Sequence, residues 1–118
     1  MFKSIALLKC KPGLAREDFI AYYEERHVPL IRRLLPGIRG YRRNFIEAEG
    51  AFVGAGAAAR DFDVITELWF ADRAAYDAAM AHHERPEVAG AIAADEENFL
   101  DRSKTRMFVV DERVSHFD

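Results

Sequence analysis

Cysteine is nearly absent from this sequence: Cys10 is the only one among 118 residues. An internal disulfide is excluded, and no Cys/His pair has zinc-finger spacing. Positive charge is not in excess either. Seventeen lysines and arginines stand against twenty acidic residues, a formal charge of −3, so no nucleic-acid partner is expected. No apolar run approaches the length needed to cross a bilayer. The opening "MFKSIALLKCKPG" is too short in its apolar part for a secretory leader. A soluble, reducing, cytoplasmic setting with no membrane partner is the expectation. Proline occurs only four times, and each instance marks the boundary of an element or a break within one.

What is present is an ordinary globular balance, half hydrophobic and 31% charged, which argues against disorder. The length suits one domain over residues 1–118. "KSIALLKC" is strand-compatible, with Ile5 and Leu7 on one face and Ala6, Leu8 and Cys10 on the other, and Pro12-Gly13 closes it. The period then changes. At about 100° per residue, Phe19, Tyr23, His27, Leu30 and Leu34 fall in one helical stripe. Pro29 lacks an amide hydrogen and clashes one turn back, so the helix must kink or restart near His27 and Val28. Pro36-Gly37 ends it.

"RGYRRNFIEA" alternates again, with Tyr41, Arg43 and Phe45 on one face. The small-residue stretch "EGAFVGAGAAARD" has no period and reads as a loop; its Gly54 and Gly56 lack the third glycine and the strand–helix setting of a dinucleotide fingerprint. "DFDVITELWFAD" is the clearest strand, with Val64, Thr66, Leu68 and Phe70 on one side and Ile65, Glu67 and Trp69 on the other. Asp72 caps a second helix whose apolar stripe is Ala75, Tyr76, Ala79 and Met80. Pro86 opens a shorter helical segment to about Ala94, and "TRMFVVDE" is the last strand.

Two βαβ-like halves around a central hairpin predict an α+β, ferredoxin-like split β-α-β fold with a four-stranded antiparallel sheet. Helices on one face leave the other apolar face, with Ile5 and Leu7 or Ile65 and Trp69, to be covered. A homodimer that pairs two sheets is the economical expectation.

"FIAYYEERHVPLIRRLLPGIRGYRRN", "ITELWFADRAAYDAAM" and "DEENFLD" before a final strand, in that order, resemble the EthD domain family over nearly the whole chain. The resemblance implies a dimeric α+β barrel built from two ferredoxin-like protomers. Related barrels include cofactor-free polyketide cyclases, dehydratases, monooxygenases and lactone isomerases, and also haem-binding members. A haem attachment motif such as C-x-x-C-H is missing here, and the expectation is an activity without a cofactor.

The chemistry-bearing candidates follow from residue type and position. His27 lies on an apolar helix stripe, either as a packed, hydrogen-bonded core histidine or as a group that moves a proton near neutral pH. The resemblance adds weight to the second, because the matching histidine is a recurring catalytic candidate. Glu67, in an apolar strand, is either paired with Arg43 or Arg106 or is a carboxyl with a raised pKa that partners His27. Tyr23 and Tyr41 offer phenols to a ligand oxygen, Tyr23 in preference to Tyr22 because it shares the His27 side, and Trp69 would wall the pocket or the dimer core. His82, His83 and Glu84 do not make a metal site, since adjacent helical residues diverge by about 100°, and they read as a solvated helix end. The five arginines from Arg32 to Arg43 read as solvated side chains with packed stems or as an anion site. The expected activity is acid–base chemistry (cyclisation, dehydration, isomerisation or decarboxylation) on a small apolar carbonyl or phenolic compound. A non-catalytic dimeric binding protein and a cofactor-free monooxygenase are the alternatives.

Overall fold

In the computed structural model, which describes residues 1–118, four strands form one antiparallel sheet in the order β2-β3-β1-β4. They are β1 (Phe2–Leu8), β2 (Gly40–Phe45), β3 (Val64–Phe70) and β4 (Arg106–Val110). This is the ferredoxin-like arrangement predicted from the alternating and helical periods. The central strand β3 alternates as its sequence demands: Val64, Thr66, Leu68 and Phe70 are buried beneath the helices, and Ile65, Glu67 and Trp69 face away from them.

The helix layer holds α1 (Arg16–Tyr22), α2 (Val28–Leu34), α3 (Arg73–His83) and α4 (Pro86–Glu96). Asp72 caps α3 by accepting the Ala75 amide at 2.8 Å, and Pro86 occupies the first turn of α4, where a missing amide hydrogen costs nothing. After α4 the chain returns beside the end of β1. The Lys11 amide donates to the Phe99 carbonyl and the Asp101 amide to the Lys9 carbonyl, both at 2.9 Å. Those two bonds seat Phe99, fully buried, under the helix layer.

Pro29 does interrupt the first helix, but the chain does not break. One π-helical turn, Tyr23–His27, joins α1 to α2, and the Val28 amide reaches back to the Tyr23 carbonyl. A π turn holds more residues than an α turn, so it advances the phase of everything after it. The buried series is therefore Phe19, Tyr23, His27, Ile31 and Leu35, at a spacing of four. The expected Leu30 and Leu34 are only half-buried, because a constant 3.6-residue period misplaces every position beyond the π turn.

On the uncovered sheet face, Lys3 bonds Glu67 at 2.9 Å and is held from the other side by Glu112 of the tail. The Lys3 ammonium and the Arg42 guanidinium both lie over the Trp69 ring, at 4.4 and 4.8 Å. Ile5 and Leu7 share this face, and Phe108, paired with Ile5, is 52% exposed on it.

Candidate functional site

Between the helices and the sheet lies a cavity of about 120 Å³. Its walls are apolar for the most part, with Ile31, Leu35, Leu68 and Ile92 among them, and its polar members are Tyr23, His27, Tyr41, Thr66, His83, Glu96 and Thr105. The sequence places these together through three separate devices. The π turn delivers Tyr23 and His27, the alternation of β2 and β3 delivers Tyr41 and Thr66, and the C-terminal end of α4 delivers Glu96.

His27 is 4% exposed, with Tyr23 edge-on to its ring at 5.3 Å and Phe99 tilted over it at 4.9 Å. Its Nδ1 lies 2.8 Å from Asp95 Oδ2. Burial pushes the imidazole below its ordinary pKa, and the Asp95 hydrogen bond and charge oppose that shift only in part. The ring is therefore neutral at neutral pH. A neutral ring facing a carboxylate carries its proton on Nδ1. Nε2 is left with a bare lone pair and no hydrogen-bond partner, on a residue that lines the cavity.

Asp95 also accepts the Tyr22 hydroxyl at 2.7 Å, and Asn98 donates to that hydroxyl at 2.9 Å. Two carboxylates, Asp95 and Glu96, end α4, where the helix dipole disfavours negative charge. Asp95 is compensated by its two donors. Glu96 has one ion pair, with Arg102 at 3.3 Å, and burial pushes its carboxyl above the ordinary range against the pull of Arg102. Around one cavity, then, a base is held neutral and an acid is held toward its protonated form. Divergent shifts of this kind mark acid–base pairs.

A second group forms a hydroxyl chain. Tyr41 donates to the Tyr23 oxygen at 3.3 Å, and Tyr23 lies 2.6 Å from Thr66 Oγ1. Both phenols are pushed upward, chiefly by burial, so they stay protonated and act as hydrogen-bond donors. If each hydroxyl passes its hydrogen along, the Thr66 hydrogen is the one left for a ligand oxygen in the cavity.

Glu67 does not join this site. The β3 alternation that buries Thr66 sends Glu67 through the opposite face of the sheet, so it cannot meet His27. Its partners are Lys3 and Asn44, and Lys3 above all pulls its pKa down, so it is an ionised carboxylate rather than a proton donor. Arg43 and Arg106, the partners weighed from sequence, bind Glu24 and Asp61 instead. Trp69 lies on the Glu67 face and is no wall of the cavity. His83 is half-buried and lines it, so only part of the His82-His83-Glu84 helix end is solvated. Asp95 and Glu96 were legible only as members of "DEENFLD"; nothing local in that string says that Asp95 meets a histidine 68 residues earlier or that Glu96 lines the same cavity.

Fold and cavity together define an α+β, ferredoxin-like protein with a histidine–carboxylate pair under its helix layer. The chain belongs to the EthD domain family, whose EthD domain model matches residues 11–103. An EthD family protein from Bacillus halodurans is 21% identical, with a TM-score of 0.64 over 96% of this chain and 100% of that one. HapK from Hahella chejuensis is 14% identical, with a TM-score of 0.63 over 100% and 98% of the two chains. SnoaB from Streptomyces nogalater, a cofactor-independent oxygenase, is 12% identical, with a TM-score of 0.60 over 97% and 94%. At such identities the likeness establishes the fold. No curated protein matches the sequence.

Proposed function

We propose that this chain is a cofactor-independent acid–base enzyme acting on a small apolar carbonyl or phenolic compound. The observation that carries the reading is His27, neutral and buried, lining an apolar cavity, with Nδ1 on Asp95 at 2.8 Å and Nε2 without a hydrogen-bond partner. In this reading Nε2 takes a proton from a phenol or from a carbon beside a carbonyl. Asp95 holds the ring in the required tautomer and stabilises the imidazolium that forms. The Tyr41–Tyr23–Thr66 chain donates to the oxygen on which charge develops. Glu96 returns the proton to the product. A cavity near 120 Å³ is the size of one aromatic ring, since about 150 Å³ accommodates benzene.

Cyclisation, dehydration and isomerisation all need this proton abstraction. It also generates the electron-rich anion that a cofactor-free oxygenation starts from, the activity named for SnoaB. A homodimer that buries the Ile5, Leu7 and Ile65 face belongs to the same proposal, supported by the apolar surface left uncovered there. A monomer mass by light scattering at micromolar concentration would refute that part.

Phenols and enolisable ketones of one-ring size, screened by thermal shift, identify ligands. Turnover of any hit is then followed with His27→Gln beside the native chain. Loss of turnover with ligand binding retained is the expected result. Full turnover by His27→Gln sinks the catalytic reading and leaves a binding protein. Oxygen consumption during turnover separates monooxygenation from the other reactions.

A further inference from the structure

The arginine-rich stretch after α2 has no part in the proton chemistry, yet it builds a groove of its own. About 470 Å³ of open space lies between α2, the Pro36-Gly37 turn and the start of β2, and Arg32, Arg39 and Arg43 line it. The groove adjoins the cavity. Leu35 and Tyr41 line both, so these two side chains form the boundary that the cavity and the arginine groove share.

The three guanidinium groups are not equivalent. Arg43 is committed: its Nε donates to Glu24 at 2.8 Å, its Nη1 donates to the Tyr41 carbonyl at 3.0 Å, and it stacks over the Tyr41 ring at 4.9 Å. Arg32 and Arg39 are exposed and form no ion pair or side-chain hydrogen bond. Glu24 is the one carboxylate bonded to the groove's arginines. A chain with a formal charge of −3 thus gathers three arginines in one groove beside its cavity. Arg32 in the last turn of α2 also complements the helix dipole, but Arg39 lies outside any helix and has no such reason to be there.

We infer that the ligand carries an anionic group, a carboxylate or a phosphate, that Arg32 and Arg39 hold while its apolar ring occupies the cavity. This rests on the reading of the cavity as the ligand site. One ring fills about 120 Å³, so any larger ligand must extend outward, and an oxyanion is the extension that two unpaired guanidinium forks recognise. Neither acid requires a change in the fold, and the two classes present the same oxygens to the same donors.

Calorimetric titration of the full chain with phenylbutyrate, phenylbutanol and phenylbutyl phosphate tests the inference. The native chain and an Arg32→Gln/Arg39→Gln variant are compared, with thermal melts to verify that the variant folds. The acid is expected to bind the native chain on the order of tenfold more tightly than the alcohol. That preference should vanish in the variant and shrink with added salt, while the alcohol binds both proteins alike. Equal affinity for acid and alcohol on the native chain overturns the inference, as does a preference that survives in the variant. Acid binding through the arginines with no alcohol binding at all refutes the ring cavity and leaves the anion groove standing. Failure of all three compounds refutes both. Tighter binding of the phosphate ester than of the acid assigns the phosphate class, and the reverse order assigns the carboxylic acids.

Discussion

Replacing Asp95 with asparagine removes one negative charge and almost no volume, and it acts on His27 at 2.8 Å. A hydrogen bond to an ionised partner contributes about 1.5–3 kcal/mol and a neutral one about 0.5–1.5 kcal/mol. Asp95 accepts two such bonds, from His27 and from Tyr22, so the substitution should cost about 2–3 kcal/mol at neutral pH. For a chain of 118 residues that is a fall in Tm of roughly 8–12 °C. The pH dependence carries more information. Burial holds the folded pKa of His27 below its ordinary value, and Asp95 is what pulls it back up. In the interval between the folded and unfolded pKa values the unfolded chain binds a proton that the folded chain refuses. The contribution of neutral His27 is complete above the unfolded value of about 6.5. It is lost as the pH falls toward the folded value, at a slope of at most about 1.4 kcal/mol per pH unit. Asp95→Asn lowers the folded value further, so the loss on the acid side extends to lower pH and is deeper. Heteronuclear NMR of the imidazole nitrogens reads the tautomer and the titration directly, and urea melts across pH read the stability. Glu67→Gln is the control and should leave the His27 titration unchanged, because the sheet separates the two. The reasoning fails if His27 titrates above its ordinary value, if its proton resides on Nε2, or if Asp95→Asn moves the titration upward.

Glu96 has the opposite sign. Its folded pKa is raised, so its contribution is present below the unfolded carboxyl pKa and declines as the pH rises through the folded one. Glu96→Gln should therefore stabilise the chain above that window, on the order of 1 kcal/mol, and abolish the corresponding arm of any pH–rate profile; a destabilised variant at pH 8 would refute the assignment. Gly40→Ala places a Cβ 3.0 Å from Trp69 Cε3, and the ring must move at a cost of about 1–3 kcal/mol. An unchanged tryptophan emission spectrum and an unchanged Tm together would contradict this. The Ser4 hydroxyl is buried without a hydrogen-bond partner, so Ser4→Ala should be neutral or stabilising by up to about 1 kcal/mol in urea melts, and a loss above that would reveal a partner.

The elements were readable because each depends on a local period. The alternation of β3, the stripe of α3 with its Asp72 cap, and the Pro-Gly turns identify their structures from neighbours within a few residues. Pro29 likewise announces a disturbance near His27, since its missing amide hydrogen is a covalent fact. Its outcome was not readable. Whether the backbone kinks, restarts or takes up one π turn depends on what the following helix must pack against, and here Ile31 and Leu35 are the buried residues that cluster with Val88 and Ile92 of α4, while Leu34 packs against that cluster half-buried.

The candidate site shows the same division. His27 was singled out as a polar residue on an apolar stripe, Tyr23 by sharing its side of the helix, and Tyr41 as a phenol able to reach a ligand oxygen. Glu67 looked anomalous on equal grounds, but an apolar strand with two faces offers two destinations, and only the helix layer decides which one meets the cavity. Asp95 and Glu96 are two acids in an acidic string, and they acquire meaning when α4 brings them to His27 and the cavity. The sequence alone determined the ferredoxin-like order of elements and the histidine at the helix break, because both follow from periods and covalent constraints within a few residues. The tertiary structure alone decided which carboxylate bonds that histidine. That choice depends on the phase of the π turn and the packing of α4, and both are set by contacts distant in the chain.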